Sequence, residues 1–246
     1  MSQKSQGKLK LKKFRFKAKN GYYPIHKKSF KRWGKKNYHI KEYNMGNSIK
    51  HIKDENVLLD IALNHERNSN RLDAVKNNNF RNEKKLLKLI NECNGYEIRS
   101  TAVSKLKKED NLINLVKNHH DWHVRCEALR NDNLRNKKTI EKAALYDKDY
   151  MVRREAVKHV DNQDVLVYLS RNDEYVLVRS YCIKQVRNMD IVLYVAKYDV
   201  DWRVRKVAIE EIKDIELLES LFDYEEDYYC CELIEKRIEE LKLRNN

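Results

Sequence analysis

The chain has 246 residues, a formal net charge of +14 and no apolar run long enough to cross a membrane or to form the core of a signal peptide. Its five cysteines follow no metal-ligand spacing, and the phosphate-loop, metalloprotease and nucleophile-elbow motifs that mark common enzymes do not occur. These features favour a cytoplasmic, non-enzymatic protein that needs no metal or cofactor and does not act at a membrane.

The first predicted element is a basic tail, residues 1–41. Residues 1–50 hold 16 of the 52 Lys and Arg but one of the 38 acids, Glu42, which leaves 36 basic and 37 acidic residues in the rest of the chain. Cations and aromatic residues alternate in this tail. Because such a mixture cannot build its own core, we expect an extended segment that neutralises phosphates and stacks on unpaired bases. The residues assigned to nucleic-acid binding are Lys8, Lys10, Lys12, Lys13, Phe14, Arg15, Phe16, Lys17, Lys19, Tyr22, Tyr23, Lys27, Lys28, Lys31, Arg32, Trp33, Lys35 and Lys36.

In composition, this tail looks like the tails of ribosome-bound proteins, which become ordered on ribosomal RNA. The resemblance implies RNA, and ribosomal RNA in particular, as the partner. Three other interpretations stay open: a solvated arm, a tether to an anionic membrane surface and a localisation signal, the last suggested by the basic pairs at residues 27–28 and 31–32.

Residues 42–246 contain one repeated motif, an apolar residue followed by Arg, two variable residues and Ala. Clear copies occupy residues 98–102, 124–128, 152–156 and 204–208. The Arg of each copy, called a repeat arginine below, recurs after 28, 26, 28, 26 and 26 residues, at Arg71, Arg99, Arg125, Arg153, Arg179 and Arg205, and one more step of 26 reaches Cys231. A fixed period indicates an array of stacked repeats, here preceded by a half-repeat at residues 42–52.

Each repeat is predicted to hold two short helices. Apolar residues stand thirteen and ten residues before each repeat arginine, which gives a helical face at i, i+3 spacing, and a second apolar face surrounds the arginine itself. Since one pair cannot bury both faces alone, we expect about seven stacked pairs, an all-α solenoid. The residues thirteen before are Leu58, Leu86, Leu112, Ile140, Leu166, Val192 and Leu218.

Four repeats carry Asp four residues before the repeat position. An Asp there caps the second helix and lies one turn from the repeat arginine. We therefore interpret the Asp and Arg residues as a ladder of capping and inter-repeat salt bridges and not as an anion-binding row. This predicted structural ladder consists of Asp121, Arg125, Asp149, Arg153, Arg179, Asp201 and Arg205.

The motif Asp-x-x-Val-Arg-x-x-Ala, at residues 121–128, 149–156 and 201–208, resembles the short form of the HEAT-like repeat family. The resemblance covers about residues 42–243 and implies an α-solenoid that acts as a scaffold for proteins or nucleic acids. Some HEAT-like proteins are DNA glycosylases that use aromatic residues and a carboxylate. The residues that superficially suit that role are Trp122, Trp202, Asp121 and Asp201, although capping explains both Asp without chemistry.

Two columns on the second helices could face a partner. Aromatic residues stand three before the repeat position, at Tyr96, Trp122, Tyr150, Trp202 and Tyr228, and we expect them to pack between repeats. Cations stand five after it, at Lys76, Arg130, Lys158, Lys184 and Lys236; most of this column reads as solvated surface, and Arg130, Lys158 and Lys184 are assigned to phosphate binding. The only tight histidine group, His119, His120 and His123, is interpreted as solvated loop residues.

The sequence thus predicts a monomeric scaffold in which the tail, residues 1–41, binds RNA and the solenoid, residues 42–246, contacts RNA or protein. The acidic last repeat, residues 214–240, serves as a soluble cap. A protein-binding adaptor is the alternative, since Tyr and Trp are common in interfaces. A HEAT-like DNA glycosylase is the third and least favoured hypothesis.

Overall fold

The computed structural model describes residues 17–18, 21–22 and 49–245. The chain divides between Asn44 and Met45 into two units, which are treated separately. In the first unit, strands β1 (Lys17–Ala18) and β2 (Gly21–Tyr22) pair antiparallel, with Lys17 opposite Tyr22. The rest of the predicted tail, and most of the predicted half-repeat at residues 42–52, lie outside the described residues.

In the range 49–245 every regular element is a helix. The fourteen helices are α1 (Glu55–Asn64), α2 (Asn68–Lys76), α3 (Glu83–Glu92), α4 (Tyr96–Ser104), α5 (Glu109–Asn118), α6 (Trp122–Arg130), α7 (Lys137–Tyr146), α8 (Tyr150–Val157), α9 (Gln163–Asn172), α10 (Val176–Ile183), α11 (Met189–Tyr198), α12 (Trp202–Glu211), α13 (Ile215–Phe222) and α14 (Tyr228–Asn245). The prediction of an all-α fold is confirmed for this part of the chain. The repeat arginines all lie on even-numbered helices.

Side-chain caps explain why such short helices begin where they do. Six odd-numbered helices start after an Asn or Asp whose side-chain oxygen accepts a backbone N–H of the first turn, at Asp54, Asn82, Asn136, Asn162, Asn188 and Asp214. Such a cap satisfies a donor that has no partner within the helix, and it stabilises a helix by about 1 kcal/mol. The capping residues in the turns therefore determine where these helices begin.

Packing follows the order of the helices along the chain. Each odd-numbered helix packs on the even-numbered helix after it, and each even-numbered helix also packs on the next even-numbered one, from α2 through α14. The buried apolar side chains form one continuous cluster from Ile49 to Leu241. All seven residues predicted thirteen before each repeat position are buried in it. The even-numbered row comes close together because Ala or Cys, fully buried, stands three residues after each repeat arginine, at Ala74, Ala102, Ala128, Ala156, Cys182 and Ala208.

Two buried asparagines join successive helix pairs at the two longer connections. Asn131 Nδ2 donates to the backbone oxygens of Val103 (2.8 Å) and Leu106 (3.1 Å), and its Oδ1 accepts the N–H of Asn133 (2.9 Å). Asn77 stands two repeats earlier, one step of 28 residues and one of 26. Its Nδ2 donates in the same way to the backbone oxygens of Ile49 and Ile52. The sequence predicts these Asn-rich connections to be surface exposed, and that is wrong for Asn77 and Asn131, which are 5% and 8% exposed. They are buried because they satisfy carbonyl groups at the end of a preceding helix.

Candidate functional site

The even-numbered helices carry the repeat arginines, and four of these make two-pronged ion pairs with an acid that precedes the next even-numbered helix. Arg125 reaches Asp147 (2.8 and 2.8 Å), Arg153 reaches Asp173 (2.7 and 3.0 Å), Arg179 reaches Asp199 (2.8 and 2.9 Å) and Arg205 reaches Glu225 (2.9 and 2.7 Å). The sequence predicts capping and inter-repeat salt bridges for the ladder, and these four arginines do make inter-repeat pairs, because each extends across to the neighbouring helix pair. Their partners are not the Asp residues of the predicted ladder but acids that stand two residues before those positions.

Each of these acids stands six residues before a repeat position, and we call this set the turn column: His65, Cys93, His119, Asp147, Asp173, Asp199 and Glu225. The backbone oxygen of a turn-column residue also accepts a bond from the repeat arginine of its own helix pair, as in Arg153 Nη1 to Asp147 (2.9 Å) and Arg179 Nη1 to Asp173 (2.8 Å). Hydrogen bonds to these carboxylates raise the pKa of Arg153, Arg179 and Arg205 above the ordinary arginine value. Their donors are occupied within the protein, which supports a structural role for these arginines.

The first three turn-column residues are not acids. Arg71 Nη2 donates to Cys93 Sγ (3.0 Å), and Arg99 passes His119 to pair with Asp121. His119 is 8% exposed, so the interpretation of this residue as a solvated loop histidine is wrong. Burial, with the charge of His120, lowers the pKa of His119. Its Nδ1 accepts the N–H of Asp121 (3.1 Å), which fixes the ring inside the turn.

The Asp residues four before the repeat position cap the even-numbered helices. Asp121, Asp149 and Asp201 each accept the N–H of the residue two further on, at 2.9 Å. Burial alone would raise the pKa of Asp121, but hydrogen bonds from His123 and the charge of Arg99 outweigh it and lower the pKa. Hydrogen bonds from the Arg203 side chain lower the pKa of Asp201 to about 2. The carboxylates considered for glycosylase chemistry are thus engaged in caps and ion pairs.

The basic column divides into paired and unpaired cations. Arg130 bonds both Glu127 (2.6 Å) and Glu155 (2.8 Å), and Lys158 bonds Glu155 (2.9 Å). The side-chain bond to Glu155, which is 3% exposed, raises the pKa of Arg130. Of the three residues that the sequence assigns to phosphate binding on this row, Arg130 and Lys158 neutralise carboxylates of the protein. Lys184 is exposed and makes no ion pair with any residue between 49 and 244.

The aromatic column is both packed and exposed. Two of its members contact an aromatic ring of the next helix pair: Tyr150 stacks on Tyr175 with ring centroids 4.3 Å apart, and the ring centroid of Trp202 lies 5.6 Å from that of Tyr229. Tyr96, Trp202 and Tyr228 nevertheless keep 48%, 38% and 71% of their surface exposed. The column therefore supports the contact between repeats and also presents ring surface to solvent.

Two grooves open between successive even-numbered helices. The groove between α10 and α12, about 320 Å³ in volume, is lined mainly by Val176, Leu177, Tyr181, Lys184, Arg203 and Val207. The groove between α12 and α14, about 240 Å³, is lined by Trp202, Lys206, Tyr229, Glu232, Leu233 and Lys236. Both combine apolar walls with cations. They place the predicted Lys184 and Trp202 in adjacent grooves of the same row.

No protein-family model matches the chain, and no curated protein matches it.

A second aromatic row, on the odd-numbered helices and in the turn after α13, was not predicted from the sequence. Its exposed members are Tyr146, Tyr168, Tyr194, Tyr198 and Tyr224. Arg171 lies 4.3 Å from the ring centroid of Tyr194, and Lys197 lies 4.5 Å from that of Tyr224. The signal was present, since these tyrosines stand eleven or seven residues before a repeat position. It is easily missed because the early repeats have polar residues there.

Two further properties concern metal ions and membranes. Within the described residues, no group of three or more His, Cys, Asp and Glu side chains is placed to hold a metal ion. Over the same part of the chain, none of the helices combines the length and the apolar character that a membrane span requires.

Proposed function

We propose that this protein is a non-enzymatic scaffold, a HEAT-like α-solenoid over residues 42–246 that is held on RNA, ribosomal RNA in particular, by the basic tail of residues 1–41. The solenoid part of the proposal is supported by the period of 26 to 28 residues and by the contact of each even-numbered helix with the next. Arrays in which each unit packs only on its neighbours behave as elongated scaffolds.

The observation that carries the RNA proposal is the separation of charge along the chain. Residues 1–50 hold 16 cations and one acid, whereas the remainder holds slightly more acids than cations. In the helical part, four repeat arginines and two basic-column cations are already paired with carboxylates. The excess positive charge available to a polyanion is therefore concentrated in the tail. Each phosphate that it neutralises releases counterions, which drives binding.

The aromatic residues of the tail favour unpaired RNA over a duplex. Phe14, Phe16, Tyr22, Tyr23 and Trp33 are interleaved with the cations. Flat side chains stack on exposed bases and add about 1–3 kcal/mol each, and a base-paired helix does not offer its bases for stacking. A segment that only solvated itself or carried charge to a membrane would not need them.

The test compares RNA affinity of the full chain with that of a chain beginning at Lys41, by fluorescence anisotropy on a single-stranded RNA oligonucleotide and on fragments of ribosomal RNA. We expect the truncation to weaken binding by about 100-fold or more and to flatten the dependence of affinity on salt. As a matched control, changing Lys76, Lys117 and Lys236 to Gln in the full chain should leave the affinity nearly unchanged. Equal affinities of the full and truncated chains would refute the role of the tail.

A second candidate function, a protein-binding adaptor, is favoured by the distribution of exposed apolar side chains. Of the sixteen large apolar side chains that are exposed within the described residues, Tyr96 alone precedes Tyr146. Clustered exposed apolar surface marks interaction sites. A complex that residues 42–246 capture alone, and that survives nuclease treatment, would support the adaptor role; loss of every captured protein on nuclease treatment would count against it.

A further inference from the structure

The grooves beside α12 have aliphatic walls. Val176, Leu177 and Val207 line the groove between α10 and α12, and Leu233 lines its neighbour. Leu177 is 44% exposed. Aliphatic walls complement the alkyl side chains of another molecule, because burial of each such group contributes favourable transfer free energy.

Positive charge surrounds the groove between α10 and α12. Lys184 lies in it without an ion pair in the described part of the chain, while Arg154 and Lys158 stand beside Tyr181, 5.6 and 5.5 Å from its ring centroid. Lys158 is balanced by Glu155, and Arg203, on the opposite wall, by Asp201. The groove therefore keeps the positive charge of Lys184, with that of Arg154 beside it, which complements a partner with carboxylates.

A polypeptide fits these grooves better than a nucleic acid does. A base would need an open aromatic face, but in the groove between α10 and α12 the one aromatic ring, Tyr181, already has Arg154 and Lys158 beside it. The other apolar walls of this groove are aliphatic and offer a flat base no stacking surface, whereas its neighbour is lined by the rings of Trp202 and Tyr229. Alkyl side chains with neighbouring carboxylates meet both the walls and the charge.

The distance between the grooves sets the spacing of the partner's residues. Neighbouring packed helices lie about 8–10 Å apart, so the two grooves, one on each side of α12, are separated by about one such step. In a polyproline II segment, residues i and i+3 point to the same side about 9 Å apart. Two apolar side chains at this spacing would enter the two grooves together.

We propose that the paired grooves beside α12 bind an extended acidic segment of a partner protein through two apolar side chains at positions i and i+3. The apolar pair occupies the grooves, and the Asp or Glu residues around it face Lys184 and Arg154. This inference rests on the adaptor role and is independent of RNA binding by the tail. It joins the two candidate functions, since the tail would hold RNA while α10, α12 and α14 hold a protein.

The experiment uses the full chain and a fluorescein-labelled peptide with two leucines at i and i+3 among Asp, Glu and Pro residues, measured by anisotropy. Two variants test the groove: Lys184→Glu reverses its free charge, and Leu177→Asp places a carboxylate on its exposed wall. Their matched controls are Lys76→Glu, at the same repeat position in the first helix pair, and Leu243→Asp, which is 78% exposed on α14 and does not line either groove.

We expect each groove variant to weaken peptide binding about tenfold or more, a change of about 1.4 kcal/mol, and each control to change it less than about twofold. A peptide with Lys in place of the acids, and one with Ser in place of the leucines, should bind at least about tenfold more weakly. Unchanged thermal midpoints would show that the variants remain folded.

Three outcomes would overturn the proposal: no binding of the acidic peptide, equal effects of Lys184→Glu and Lys76→Glu, or equal binding of the acidic and the basic peptide. RNA affinity of the same samples separates this proposal from the previous one. We expect it to be unchanged by Lys184→Glu and Leu177→Asp. A loss of RNA affinity without a loss of peptide affinity would assign the grooves to nucleic acid instead.

Discussion

The first three helix pairs, α1–α6, and the last four, α7–α14, share a repeat length but differ in the chemistry of their turns. The turn column holds His65, Cys93 and His119 in the first part and acids in the second. In both parts the side chain accepts the N–H of the residue two further on, at 3.0 Å for His65, 3.3 Å for Cys93 and 2.9 Å for Asp147. The turn requires a hydrogen-bond acceptor, and the acceptor's charge decides how strongly one pair is tied to the next.

The two parts also present different surfaces. Apart from Tyr96, every exposed large apolar side chain of the described residues lies at or after Tyr146, in the part with the ionic turns. Both grooves lie there as well. Because exposed aromatic surface contributes little to folding, it is free to contact a partner. It lies in the same part of the molecule as the stronger ionic links.

The largest expected effect is the loss of a buried ion pair in the second part. Arg153→Ala leaves the carboxylate of Asp173, whose side chain is 3% exposed, without its guanidinium. We expect the free energy of unfolding to fall by about 3–5 kcal/mol in urea titrations. Arg71→Ala, whose Nη2 partner is the neutral thiol of Cys93, should cost only about 1 kcal/mol.

The combined change Arg153→Met with Asp173→Asn provides the control for this prediction. Because it removes both charges and keeps an acceptor for the N–H of Tyr175, it should recover most of the stability. Equal losses from Arg153→Ala and Arg71→Ala would mean that the two parts do not differ in the strength of their links.

The next effect concerns the buried asparagines of the first part. Asn131→Ala leaves the backbone oxygens of Val103 and Leu106 without their donor, and we expect a loss of about 2–3 kcal/mol in thermal or urea unfolding. Gln185→Ala removes the related bond to Val157, which is longer, at 3.2 Å, and involves a half-buried side chain. It should cost less than about 1 kcal/mol. A larger effect at Gln185 than at Asn131 would contradict this ranking.

A substitution that gives the first part the chemistry of the second should stabilise it. Cys93→Asp supplies a carboxylate to Arg71 and keeps an acceptor for the N–H of Gly95. We expect the free energy of unfolding to rise by about 1 kcal/mol, since a charge-assisted bond replaces a weak bond to sulfur. Cys126→Asp is the control, because this buried residue is not in the turn column, and the same change there should be destabilising.

The smallest effect is a pH dependence that belongs to His119. Burial lowers its pKa, so the unfolded chain binds a proton more readily than the folded one does. Stability from this group is therefore complete above the unfolded pKa of about 6.5 and is lost as pH falls toward the folded value. Thermal midpoints between pH 7.5 and 5.5 should fall less in His119→Asn than in the unchanged protein. His51→Asn, at an exposed histidine that does not contribute to the pKa of His119, should keep the original slope.

The sequence was sufficient to predict the helices because their period is long and regular. The apolar residues before each repeat arginine and the small residue after it repeat in every unit, and both sets are buried. Caps were equally accessible, since Asp121, Asp149 and Asp201 occupy one repeat position. The HEAT-like assignment and the RNA-binding tail remain predictions from sequence.

The hydrogen-bond and ion-pair partners of the polar side chains could not be predicted from the repeat period. The turn column mixes His, Cys, Asp and Glu, which share an acceptor atom but not a residue type. Arg153 pairs with Asp173, which lies twenty residues later in the next repeat. Several other acids lie near that position, and the sequence does not indicate which of them the arginine reaches. Glu155 stands three residues before Lys158, so the sequence allows their pairing, but only the fold brings Arg130 onto the same carboxylate.

The ionic turns give the molecule a mechanical polarity. At Asp147, Asp173 and Asp199 each turn is held by two guanidiniums, one through its backbone oxygen and one through its carboxylate. At Glu225 the carboxylate is held by Arg205 and the backbone oxygen accepts from the Cys231 thiol. Between His65 and His119 the links are weaker, with a thiol or Asp121 in place of a two-pronged ion pair. We therefore expect a pulling force applied at the amino terminus to open α1–α4 before α10–α14.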